Sequence, residues 1–188
     1  MRRMPWTYRR RARSPWGALA TLAAIGLLTA LVALFWPPPA SISGQARAVD
    51  GDTLRIGDTR IRLIGLDAVE LDQTCTDGAG VKWDCGRDAR AFLGRLSDKA
   101  TATCASAGHD RYRRVLAHCR ADDADLGEQI VKAGWAVAEL EYGIALAEAR
   151  LNRRGIWAGT FDDPAKWRAE RDQGEFNLWA WLMGLIGR

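Results

Sequence analysis

Hydrophobic positions along the chain fall into two regimes. From Gly17 to Trp36 no charged residue occurs, and only Thr21 and Thr29 interrupt the apolar run. That is about the 20 residues a helix needs to cross a bilayer. Beyond Pro37-Pro38-Pro39 the pattern becomes short and alternating. The stretch Gln45 to Val49 leads into Asp50-Gly51-Asp52 and then Thr53-Leu54-Arg55-Ile56, which reads as strand, tight turn and strand. A second turn at Gly57-Asp58 precedes Arg60 to Ile64, where alternation sets Arg60 and Arg62 on one face and Ile61 and Leu63 on the other. From Gly86 to Leu96, Ala89, Phe92, Leu93 and Leu96 recur at helical spacing opposite Arg87, Asp88, Arg90 and Arg95. Two further strands are predicted at Ala102 to Ala105 and Val115 to Cys119, joined by the polar link Gly108-His109-Asp110-Arg111. Helical patterns follow at Leu126 to Ala133, stopped by Gly134, and at Ile144 to Arg154, stopped by Gly155.

These elements predict an α+β domain whose five short strands close into a small barrel, with about three helices and one transmembrane helix ahead of them. The expected boundaries are a basic arm at 1–16, the span at 17–36, a linker at 37–43, the domain at 44–170 and an apolar tail at 171–188. The end of that tail, Phe176 to Arg188, contains Trp179 and Trp181 and is too short to span a membrane. Either it packs back on the domain or it lies in the bilayer interface.

Charge fixes the orientation of the span. Arg2, Arg3, Arg9, Arg10, Arg11 and Arg13 precede it, which holds the N-terminus in the cytoplasm and sends the domain to the periplasmic or extracellular side. The rival is a secreted protein freed by signal cleavage. Signal peptides have shorter apolar cores, however, and the three prolines occupy the place of a small-residue cleavage site. The net charge is +4, but without those six arginines the 27 basic residues fall to 21 against 23 acidic, about −2. The domain therefore has no broad basic face, and phosphate recognition would rest on a few placed arginines.

Four cysteines, Cys75, Cys85, Cys104 and Cys119, suit an oxidising compartment. Three pairings exist. Cys75 with Cys85 and Cys104 with Cys119 is favoured, because each pair brackets a single local excursion. A zinc site is the other option, but there is no CxxC spacing and only His109 and His118 are available.

The candidate chemistry sits at turn ends. Asp50 and Asp52 lie in the first hairpin, and Asp67 and Glu70 follow the third strand. Carboxylates so placed suit a hard cation such as calcium, although Asp-Gly is also the commonest hairpin turn. Arg62, on its cleanly alternating strand, offers a planar fork suited to phosphate. Arg111, Arg113 and Arg114 form a basic cluster after Asp110.

Taken together, Val49-Asp50-Gly51-Asp52-Thr53-Leu54, Ile61-Arg62-Leu63-Ile64-Gly65-Leu66-Asp67-Ala68-Val69-Glu70 and Asp110-Arg111-Tyr112-Arg113-Arg114 resemble the thermonuclease, or staphylococcal-nuclease-like, family. Gly134-Trp135-Ala136 and Gly155-Ile156-Trp157 extend the resemblance, which covers roughly Gly44 to Gly159. It implies a five-stranded OB-type barrel and a calcium ion (Ca2+) held by Asp52, Asp67 and the carbonyl of Ala68. It also implies Glu70 as the general base, Arg62 and Arg114 as the phosphate clamp, and DNA or RNA as the substrate; the protein itself is expected to be a monomer. The chain departs from the family pattern at Val69, where proline is usual, at Ala68, where threonine is common, and at Arg113, where glycine is usual. Arg113 leaves open which arginine faces the site; Tyr112 and Val115-Leu116-Ala117 keep the spacing that selects Arg114. The expected function is a calcium-dependent nuclease outside the cytoplasm, tethered to the lipid bilayer by its span. The alternative is a catalytically weak OB-fold module that binds nucleic acid or a protein partner at the membrane.

Overall fold

The computed structural model describes residues 15–35, 39–98 and 100–173, so the basic arm and the Trp-containing end of the tail lie outside the described residues. The chain divides into two units, 1–38 and 39–188. In the first, helix α1 runs Pro15–Phe35, and the segment Trp16–Phe35 has a mean hydropathy of 2.4 and no buried share. It has the length and composition of a membrane span or of a signal sequence. Thr21 and Thr29 cost little there, because each hydroxyl donates to a carbonyl one turn back, Gly17 and Gly26 respectively, at 2.9 Å.

The second unit is built on a barrel. Strands β1 (Ser41–Ala48), β2 (Thr53–Ile56) and β3 (Thr59–Leu63) form an antiparallel meander. Strand β4 (Leu66–Ala68) and helix α2 (Cys85–Ser97) follow, then the hairpin β5 (Thr101–His109) and β6 (Val115–Ala121). β5 pairs with β1, and β6 pairs in parallel with β3 through Ile61↔Val115 and Leu63↔Ala117. That last pairing closes the five strands into the expected barrel. Its interior is apolar: Ala46, Leu54, Ile61, Leu63, Val115 and Ala117 are buried, with Leu93 of α2 packed against them. Helix α3 (Leu126–Lys132) adds Leu126, Ile130 and Val131 to the same core. It is capped by Asp125, whose carboxylate accepts from Glu128 N–H at 3.0 Å.

Three features lie beyond the predicted elements. β1 starts at Ser41, inside the stretch expected to be linker. A short strand β7 (Ala136–Ala138) pairs with β4, ahead of helix α4 (Gly143–Leu151), which matches the helical pattern expected at Ile144 to Arg154. A further helix, α5, covers residues 164–173, where none was expected. Asp163 caps it by accepting from Ala165 N–H at 2.9 Å, and Pro164 occupies its first position. The disulfides join Cys75 to Cys85 and Cys104 to Cys119, as the local excursions favour. Cys104 and Cys119 are direct register partners across the β5–β6 hairpin.

Candidate active site

The alternation of β3 does the first positioning. Ile61 and Leu63 are buried in the barrel, which turns Arg60 and Arg62 outward onto a cleft of about 630 Å³. Asp52 enters from the β1–β2 turn and is only 4% exposed. Its backbone N–H donates to Asp50 Oδ1 at 3.0 Å, which fixes the turn. Arg62 joins the two walls: Nη2 lies 2.8 Å from Asp52 Oδ2 and 2.7 Å from Asp67 Oδ1, while Nη1 donates to Asp52 Oδ1 at 3.1 Å. Thr53 Oγ1 donates to Asp52 Oδ1 at 3.0 Å. Burial nonetheless pushes the Asp52 carboxyl upward, against the pull of Arg62 and with the neighbouring Asp50 adding to the rise. One shared guanidinium thus undercompensates this buried acid.

Glu70 is positioned by backbone contacts. Gln73, 1% exposed, accepts from Glu70 N–H through Oε1 at 3.1 Å and donates through Nε2 to the carbonyl of Asp162 at 2.6 Å. The start of α2 presses on the same loop. A Cβ built on Gly86 would sit 1.7 Å from the Glu70 carbonyl oxygen, so only glycine lets the helix approach this closely. Val69, standing where proline is usual in the family, donates its N–H to Trp135 O at 3.3 Å and buries its side chain beside Cys75, Cys85 and Ile156. Proline has no N–H to make that bond, so here pairing and burial hold the turn in place of a fixed φ.

The opposite wall is the β5–β6 turn. Arg113 has φ of +64°, the left-handed conformation that glycine usually supplies at the end of such a turn. It points its neighbour into the cleft: Arg114 lines the cleft and Arg113 does not. Asp110 holds Arg114 by a 2.7 Å contact from Nε to Oδ2 and also accepts from the backbone N–H of Arg114 and of Tyr112, each at 2.9 Å. The guanidinium of Arg114 lies 5.6 Å from the Tyr112 ring centre.

Of the six residues expected from the sequence, Asp52, Arg62, Ala68, Glu70 and Arg114 line one cleft. Asp67 sits at its edge beneath two arginines. The second of these is Arg168, which sequence reasoning missed. Carried by α5, it places Nη1 2.7 Å from Glu70 Oε1 and 3.0 Å from Asp67 Oδ1, and Nη2 2.8 Å from Asp67 Oδ2. Gln73 was missed as well, and no local pattern marks either residue. Their partners lie in other elements, 98 to 101 residues away for Arg168 and 89 for the Gln73 bond to Asp162.

The donor set fits a hard divalent cation in kind. Asp52 and Asp67 reach toward a common point, Ala68 lies at the cleft wall, and the buried Asp52 carboxylate has too little positive charge around it. Among the described residues no group of three or more acidic, histidine or cysteine side chains forms a metal cluster, so two carboxylates and a carbonyl are what a cation would use.

A closed five-stranded barrel with Asp52, Arg62, Glu70 and Arg114 at one cleft defines an OB-type domain. The family model described as staphylococcal nuclease homologue matches residues 60–159, and the chain belongs to that family. The match includes Arg62, Asp67, Ala68, Glu70 and Arg114, and stops short of Asp52 and Arg168 on either side. The chain is also similar to the succinoglycan biosynthesis protein ExoI of Rhizobium meliloti (strain 1021), with 37% identity over 123 residues. That alignment covers 62% of this chain and 64% of the relative, so the chain spans a little under two thirds of the relative's length.

Proposed function

We propose that the domain is a calcium-dependent phosphodiesterase that cleaves DNA or RNA outside the cytoplasm, held to a membrane by α1. The observation that carries this reading is the convergence of Asp52, Arg62, Glu70 and Arg114 on one cleft from four separate parts of the fold: the β1–β2 turn, β3, the loop after β4 and the β5–β6 turn. In this reading Glu70 takes the proton of a water molecule whose oxygen attacks phosphorus. The bond from phosphorus to the 5′ oxygen breaks, leaving a 3′-phosphate and a 5′-hydroxyl that gains a proton from solvent. Arg62 and Arg114 offset the charge that grows on the phosphate oxygens. Asp52, Asp67 and the Ala68 carbonyl would hold the calcium ion, which when bound supplies further charge stabilisation. Two disulfides, together with the apolar N-terminal helix, support an oxidising location.

A second reading is a binding module with little turnover, and Arg168 favours it, because the side chain assigned as base is already paired with a guanidinium. The name of the rhizobial relative, which refers to polysaccharide biosynthesis, is compatible with it. The test is cleavage of single-stranded DNA and RNA by the full chain in detergent, at saturating calcium or with chelator, beside Glu70→Gln. Calcium-dependent cutting that falls at least about 100-fold in the variant supports the enzyme. A folded wild type that cuts neither substrate removes it in favour of the binding module.

A further inference from the structure

Helix α5 lies beyond the segment matched by the family and meets the site through polar contacts. Among its described residues only Pro164 is buried. Its polar contacts among the described residues include Trp167 Nε1 to Asp72 Oδ1 at 3.4 Å, Arg171 Nη1 to Asp72 Oδ2 at 3.2 Å, and the two-pronged contact of Arg168 with Asp67 and Glu70. Part-exposed ion pairs of this kind contribute little each, and a segment with few buried side chains opens at low cost. The Arg168 contact is nevertheless specific. Both oxygens of Asp67 and one of Glu70 accept from it, and Arg62 shares the remaining access to Asp67.

We propose that Arg168 is a tethered cation that competes with a divalent metal ion for Asp67, so that calcium binding and release of α5 are one event. The inference rests on the metal-dependent reading above. The guanidinium and a calcium ion both satisfy carboxylate oxygens with positive charge, and they cannot use the same oxygens at once. A cation that takes Asp67 therefore displaces Arg168. Displacement also frees Glu70 Oε1, the oxygen Arg168 holds, to accept a proton. The cleft is closed to chemistry while α5 is docked and opens when the metal arrives.

The experiment uses the full chain in detergent and measures calcium affinity by calorimetry for the wild type, Arg168→Ala and Arg168→Lys. Deuterium uptake across residues 164–173 is followed with and without calcium. The variant Arg168→Ala is expected to bind calcium at least about tenfold more tightly, since a charge-assisted pair no longer has to be broken. Arg168→Lys, which keeps the charge but not the fork, falls between the two. Calcium is expected to raise uptake in 164–173 of the wild type. Equal or weaker affinity in Arg168→Ala, no calcium binding by either protein, or calcium-induced protection of 164–173 would each overturn the proposal. Cleavage of nucleic acid by both proteins with equal calcium affinity removes the competition and leaves the nuclease. Tighter calcium binding in Arg168→Ala without cleavage by either protein does the reverse.

Discussion

Two supports meet at the cleft, and they are built in opposite ways. The wall carrying Asp52, Arg62 and Glu70 is backed by the barrel core, by the buried Gln73 and by a helix start that approaches a backbone carbonyl where only glycine fits. Helix α5, which carries Arg168 to Asp67 and Glu70, has one buried residue among those described and makes exposed or half-exposed polar contacts. The difference separates two tasks. Groups that must hold a phosphate within a few tenths of an ångström belong on rigid elements, whereas a group that has to leave belongs on one whose detachment is cheap.

Substitutions on the two supports should differ accordingly. The largest effect is expected at Gly86→Ala, where the new methyl meets the Glu70 carbonyl and forces α2 off its seat. Urea unfolding should register a loss of more than about 4 kcal/mol; a loss under about 1 kcal/mol would mean the wall is not rigid. Next comes Arg62→Ala, which strands the nearly buried Asp52 without its guanidinium. The expected cost is about 3 kcal/mol, toward the low end for a buried pair because the Arg62 side chain is 20% exposed. By contrast Arg168→Ala, on a side chain 34% exposed, should cost less than about 1 kcal/mol of global stability in the same assay. A cost matching that of Arg62→Ala would make α5 part of the scaffold and dissolve the comparison.

The smallest effect concerns the opposite wall of the cleft, the β5–β6 turn. Partial burial raises the Asp110 carboxyl, but hydrogen bonds from the Arg114 side chain and from the backbone of Arg114 and Tyr112 outweigh that and hold it below its ordinary 3.8. A carboxyl lowered on folding contributes stability that is whole above 3.8 and fades as the pH falls through its folded-state value. Thermal unfolding followed from about pH 6 down to about pH 2 should therefore show an acid-side decline that is shallower in Asp110→Asn. Identical slopes in the two proteins would remove Asp110 as the clamp on Arg114.

What was legible in the sequence follows the same division. The period-two alternation around Arg62, the turn at Asp50-Gly51-Asp52 and the helical spacing of Ala89 and Leu93 are local signals, and each element formed where it was expected. β5 ran longer than its apolar core suggested because a register shift between Ser106 and Gly108 carries the polar link into the strand. The β4–β7 ladder escaped notice because each strand has three residues, too few for a period to show. Arg168 had no signal at all: it is one of two arginines in the largely exposed stretch 164–173, and its partners lie about a hundred residues earlier in the chain.

The parallel pairing of Ile61 to Leu63 with Val115 to Ala117 has a kinetic meaning as well as a structural one. The meander of β1 to β3 forms from neighbouring sequence, but β3 keeps an unpaired edge until β6 has been made and brought to it. Loop-closure entropy makes such distant pairing slow relative to hairpins. The cleft, whose walls belong to β3 and to the β5–β6 turn, thus comes into being only at that last closure. A chain arrested before residue 114 holds Arg62 and Glu70 but has neither the strand that completes the barrel nor Arg114 to face them.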